Sequence, residues 1–158
     1  MKRLPFVAVV LAIAGLLPLI FCACGIVFFA SGVPIPNLMM AFVIYGAVSL
    51  SFFGAVHWGL ALEPSPMIIT TGADRMDISR LALGVVPAFV GWVAAYTAFA
   101  WMPVAGVAIL AVAVPLLALL ERQGWRAGAL PTGYMGLRWI VTAVTECCLL
   151  VVLVARLF

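Results

Sequence analysis

Glu146 is a carboxylate in the middle of an apolar run, Leu137 to Phe158, far from either end. Hydrocarbon makes an ionisable group at such a depth costly, so the residue is a functional candidate by default. Two other groups could meet it: His57, the only histidine, and Arg138. Arg138, Thr142 and Glu146 recur at i, i+4 and i+8, which places them along one side of a helix. His57 shares a face with Gly46, Ser49 and Phe53 on an earlier apolar run. Counted at the helical rise, His57 lies roughly 8 Å from its inner helix end and Glu146 roughly 12 Å above Arg138. That agreement in depth predicts a hydrogen bond between His57 and Glu146, direct or through one water.

Three roles stay open for this carboxyl. It can be a hydrogen-bonding group that fixes the bundle or an interface with a partner, where intramembrane polar contacts contribute roughly 0.6 to 2 kcal/mol. It can exchange a proton during transport. It can hold a lipid or quinone head group.

Other chemistry is missing. One histidine rules out a bis-histidine haem within the chain, and no zinc-ligand spacing occurs. Cys22 and Cys24 point to nearly opposite sides of a helix, and the adjacent Cys147 and Cys148 diverge as well. All four read as small buried apolar residues. No phosphate-cradling loop, nucleophile elbow or metalloprotease motif is present. The expectation is a protein without catalytic residues, metal or cofactor.

The elements that position these residues are membrane spans. Hydrophobic residues make up 68% of the 158 and charged ones only 8%, against about 25% charged in soluble domains. The fold class expected is all-α, a single five-helix transmembrane domain over residues 1–158. The spans run from Pro5 to about Phe29, Leu38 to Leu62, Arg80 to about Ala100, Pro103 to Leu120, and Leu137 to near the C-terminus. Each is near the roughly 20 residues that cross the hydrocarbon. Gly32, Pro34, Pro36 and Asn37 mark the first turn, Glu63 to Ser79 the second, Trp101 to Pro103 the third, and Glu121 to Gly136 the fourth. The first run is too long for a signal-peptide core and lacks a small-x-small site, so it reads as a span.

Five spans place Lys2, Arg3, Arg75, Arg80, Arg122, Arg126 and Arg138 on one side and only Arg156 on the other. Such an excess predicts an inside N-terminus and an outside C-terminus, in a bacterial inner membrane or an organelle inner membrane. Trp101, Trp125 and Tyr134 fall near span ends, where amphipathic rings sit. Gly54, Gly59, Gly84 and Gly91 read as close-packing positions between helices, and Pro18, Pro87 and Pro115 as kinks. No basic cluster interleaves with aromatics, so nucleic acid is not an expected partner. Expected partners are lipids and other membrane subunits or further copies of the chain.

The block Tyr45-Gly46-Ala47-Val48-Ser49-Leu50-Ser51-Phe52-Phe53-Gly54-Ala55-Val56-His57-Trp58-Gly59 resembles the signature of a small membrane-protein family. It is the domain-of-unknown-function 3429 family, which includes transmembrane protein 69. Leu130-Pro131, Tyr134, Leu137-Arg138 and Thr142 look like its second signature. Ala55 stands where a glycine is expected and Gly133 where an aromatic is. The resemblance implies the five-span layout and draws attention to His57, Trp58 and Arg138; it carries no activity. The reading at this point is a non-catalytic accessory or assembly subunit of a larger membrane complex, an energy-transducing one being the natural host. The alternative is a small proton-coupled transporter, or a lipid- or quinone-binding protein, built on His57, Arg138 and Glu146.

Overall fold

The computed structural model describes residues 6–29, 37–62, 75–126 and 133–157. Lys2, Arg3, the turn around Gly32, Pro34 and Pro36, most of the Glu63 to Ser79 loop, and Pro131 lie outside the described residues. So do the side chains of Arg75, Arg80, Trp125 and Arg126. Among the described residues six helices form five membrane spans. They are α1 (Phe6–Ala14), α2 (Leu17–Phe28), α3 (Leu38–Leu62), α4 (Arg75–Ala100), α5 (Pro103–Arg126) and α6 (Tyr134–Leu157).

The first span is two helices, not the single one expected. Pro18 has no N–H to donate to the Ala14 carbonyl, and it sits comfortably in the first turn of a new helix. The chain therefore turns at Gly15 and Leu16 and restarts. The hydroxyl of Tyr45, on α3, donates to the Gly15 carbonyl at 2.6 Å. A polar group freed at mid-span is thus satisfied by a neighbouring helix, as the apolar medium requires.

Other boundaries follow local rules. Asn37 starts α3 from the left-handed region (φ 62°), which Asn tolerates. Gly133 precedes α6 at φ 91°, so the glycine found where an aromatic was expected meets a backbone need. The turn at Trp101 and Met102 is closed by both N–H groups on the Thr97 carbonyl, and Pro103 opens α5. Pro87 and Pro115 remain inside their helices. The loops are shorter than expected: α4 begins at Arg75, not Arg80, and α5 continues past Leu120 to Arg126. Glu121 and Arg122 are therefore helical.

The helices close a ring in which the first span touches α3, α3 touches α4, α4 touches α5, α5 touches α6, and α6 returns to α2; α3 and α5 also meet across it. The core holds Phe42, Val43, Leu50, Val107, Leu110, Val114, Leu149 and Val152, all but sealed. Phe89, Trp92, Tyr96 and Phe99 line the outer face of α4. In hydrocarbon such exposed apolar surface costs nothing, and helices hold together through packing and interhelical polar contacts.

The α3–α4 crossing shows that packing. A Cβ on Gly54 would stand 2.9 Å from the Gly84 carbonyl oxygen and 3.0 Å from the Pro87 ring. The indole of Trp58 lies over Gly84 and donates Nε1–H to the Leu81 carbonyl at 3.2 Å. Gly91 backs onto the Ala47 carbonyl in the same way. Gly59 does not fit this pattern: nothing lies within 4 Å of its added Cβ. It is exposed, and no described residue packs on it.

Candidate functional site

Three spans bring ionisable side chains to one point inside the bundle. Glu121, on α5, has no exposed surface. Its Oε2 accepts from Arg138 Nε, on α6, at 2.6 Å. Its Oε1 accepts from His57 Nε2, on α3, at 3.2 Å; a carboxylate can only accept, so this ring nitrogen carries the proton. Arg138 also donates from Nη1 to Thr142 Oγ1 at 3.1 Å, one turn along its own helix. Its guanidinium lies 4.0 Å from the centre of the Phe53 ring, a cation–π contact of about 0.5 to 2 kcal/mol. His57, Arg138 and Thr142 are all at least nineteen-twentieths buried.

Sequence reasoning found His57, Arg138 and Thr142 but missed Glu121, which it placed in a loop. The polar letters Arg122, Gln123 and Gly124 suggest that the span has ended, whereas the helix carries on to Arg126. A signal was available. Arginine stays charged at any accessible pH, so a buried Arg138 needs a carboxylate. The chain has only five acidic residues, and Glu121 ends the span that precedes Arg138's own.

The expected bond between His57 and Glu146 is not made. Among the described residues Glu146 Oε2 is shielded and has no hydrogen-bond partner, and the partner of His57 is Glu121. Two pieces of geometry explain this. Successive steps of four residues rotate by about 40° each. Glu146 therefore stands about 80° around the helix from Arg138, on the flank of the buried stripe, and is half-buried where Arg138 and Thr142 are sealed. It also sits two turns further along α6. His57 is level with Arg138, because about 8 Å of α3 continues below His57 and about 6 Å of α6 below Arg138.

Two further polar atoms near the cluster lack partners among the described residues: Arg138 Nη2 and the Tyr134 hydroxyl, one turn apart on α6. Tyr134, expected at the interface, is half-buried with its hydroxyl enclosed. Tyr45 and Trp58 act in packing through the bonds to Gly15 and Leu81.

Two clefts open between helices at membrane depth. One of about 520 Å³ lies between α4 and α5, walled by aliphatic side chains such as Leu83, Val86, Val90, Val112 and Leu116. Another, of about 320 Å³, lies beside the break in the first span, against Tyr45, Ser49, Phe52, Phe53 and Thr145. A third hollow, of about 460 Å³, lies where the C-terminal end of α5 meets the N-terminal end of α6.

Fold and site together define a polytopic helical membrane protein with an ion-paired cluster buried between three of its five spans. The family model described as "Protein of unknown function (DUF3429)" matches residues 4–154, nearly the whole length. The chain belongs to that family. It is similar to Transmembrane protein 69 of Xenopus tropicalis, 36% identical over 95 residues. The aligned part is 60% of this chain and 34% of that relative, so the chain matches about a third of the relative's length. No solved structure matches.

Proposed function

We propose that the protein is a non-catalytic accessory or assembly subunit of a larger membrane complex, docking through the flank of α6 that carries Glu146. The observation that supports this is the contrast between the chain's two intramembrane carboxyls. Glu121 has its countercharge within the chain. Glu146 stands half-exposed at mid-span with one oxygen shielded and unpartnered among the described residues. Polar groups in hydrocarbon are held by partners, so a neighbouring chain that offers a donor at this depth fits the vacancy. An energy-transducing complex of a bacterial or organelle inner membrane is the host that suits a subunit with so little polar mass. The excess of basic residues on one side of the five spans supports an inside N-terminus.

A second reading has support of its own. His57 and Glu121 form a buried titratable pair within one protomer, which suits proton-coupled transport. Against it, Arg138 already neutralises the carboxylate, and the α4–α5 cleft is walled by aliphatic side chains.

Glu146→Gln, Glu146→Leu and His57→Gln separate the two. The amide keeps a donor and an acceptor, while leucine removes both. The accessory reading expects Glu146→Gln to co-purify with its complex in mild detergent near the wild-type yield, and Glu146→Leu to lose it. Wild-type yield of both Glu146 variants, with proton or solute flux abolished by His57→Gln, overturns this reading in favour of transport.

A further inference from the structure

The hollow at the inner end of α5 and α6 has the makings of a lipid site. It measures about 460 Å³ and is lined by Arg122, Met135, Gly136 and Trp139. Arg122 is exposed on the last turns of α5. Glu121, its neighbour in sequence, does not compensate it, because that carboxyl is turned inward onto Arg138 and His57. Met135 and Gly136 belong to the first turn of α6, whose N–H groups have no partner within the helix and present the positive end of its dipole. Gly136 leaves the floor open, since nothing lies within 4 Å of a Cβ built on it. Trp139, 38% exposed, forms a wall one turn deeper, at the level where indoles meet the boundary between head groups and chains.

We infer that this hollow binds the phosphate head group of an anionic phospholipid. Arg122 and the start of α6 contact the phosphate, and the acyl chains descend past Trp139 along the outer face of α6. Charge favours an anionic over a zwitterionic lipid, because the cation and the helix terminus share one sign and, among the described residues, no exposed carboxylate lines the hollow. The α6 first turn alone would not define a site. The hollow, the guanidinium and the open glycine do so together. The inference is independent of the docking role of Glu146, which lies on the same helix about 15 Å further out.

The test is lipid retention. The full chain is reconstituted into vesicles of phosphatidylcholine mixed with phosphatidylglycerol, released in mild detergent, and examined by native mass spectrometry. The expected result is retained phosphatidylglycerol enriched over its share in the vesicle. Arg122→Gln should reduce the enrichment about fivefold, the factor one basic residue contributes at an anionic surface. Gly136→Leu leaves every charge in place but fills the hollow, and should reduce it as much. Arg156→Gln, at the other end of α6, should leave it unchanged. Thermal transitions of the variants in phosphatidylcholine alone report folding, and Gly136→Ala replaces any leucine variant that fails there. Equal retention of the two lipids by the wild type overturns the inference. Enrichment that survives filling of the hollow also overturns it, since that is diffuse attraction to basic residues.

Discussion

Removing Glu121 leaves a guanidinium sealed in the bundle with no countercharge. In the structure Arg138 is 3% exposed, with its strongest bond, 2.6 Å, to Glu121. Thr142 and the face of Phe53 stay in place, but neither carries a charge. Two magnitudes compete. Neutral interhelical hydrogen bonds within membranes average only about 0.6 kcal/mol. Breaking one side of a buried ion pair costs about 3 to 5 kcal/mol. The second governs here, because the surviving group cannot shed its charge and lies inside the ring of helices instead of on a lipid-facing side where it could reach water. Glu121→Leu should therefore lower the folding equilibrium in detergent or bicelles by two to three and a half powers of ten. Glu121→Leu combined with Arg138→Leu removes both charges and orphans only His57 and Thr142, so it should recover at least half of that loss. Reversible unfolding under rising denaturing detergent measures both, and the double-mutant cycle isolates the coupling. A single-variant cost below about 1 kcal/mol refutes the reasoning, since it lies in the range of neutral contacts. So does a double variant whose cost equals the sum of the two singles, because additivity means no coupling.

Two other predictions concern packing and topology. Gly54→Val should cost about 1 to 3 kcal/mol by pushing the Gly84 carbonyl and Pro87 away, while Gly59→Ala should change stability by no more than about 0.5 kcal/mol; equal losses in the same unfolding assay would show that the α3–α4 crossing is not as close as described. Reporter fusions placed after Arg126 and after Phe158 should report opposite sides of the membrane, the first of them inside. The same side for both would contradict a membrane crossing by α6.

Much of this arrangement can be read from the sequence, because the bilayer imposes few choices. A run such as Pro103 to Leu120 has one way to satisfy its backbone in hydrocarbon, and the turn at Trp101 to Pro103 carries its own breaker. Glycines with a crossing partner, Gly54 and Gly84, are equally legible in type, but only contact distinguishes them from Gly59. The cluster was half legible. His57 and Arg138 stand out because apolar letters surround them; Glu121 is hidden because polar letters follow it. Hydropathy marks where lipid contact ends, and a helix can continue beyond that point. Glu146 misled in the opposite way: its position in the run is conspicuous, but a drift of about 40° per four residues takes it off the face that Arg138 and Thr142 share.

The cluster also sets an order on how the molecule is made. Its bonds join residues 64 apart, His57 to Glu121, and 17 apart, Arg138 to Glu121. As the chain emerges, His57 is in the membrane while its partner has not yet been synthesised, and the third span must insert before Glu121 exists. Glu121 and Arg138, by contrast, follow one another closely and belong to successive spans. The short loop between them brings opposite charges together at little closure cost. The last two spans can thus neutralise one another as a hairpin, and the ring shuts on His57 only when that hairpin docks.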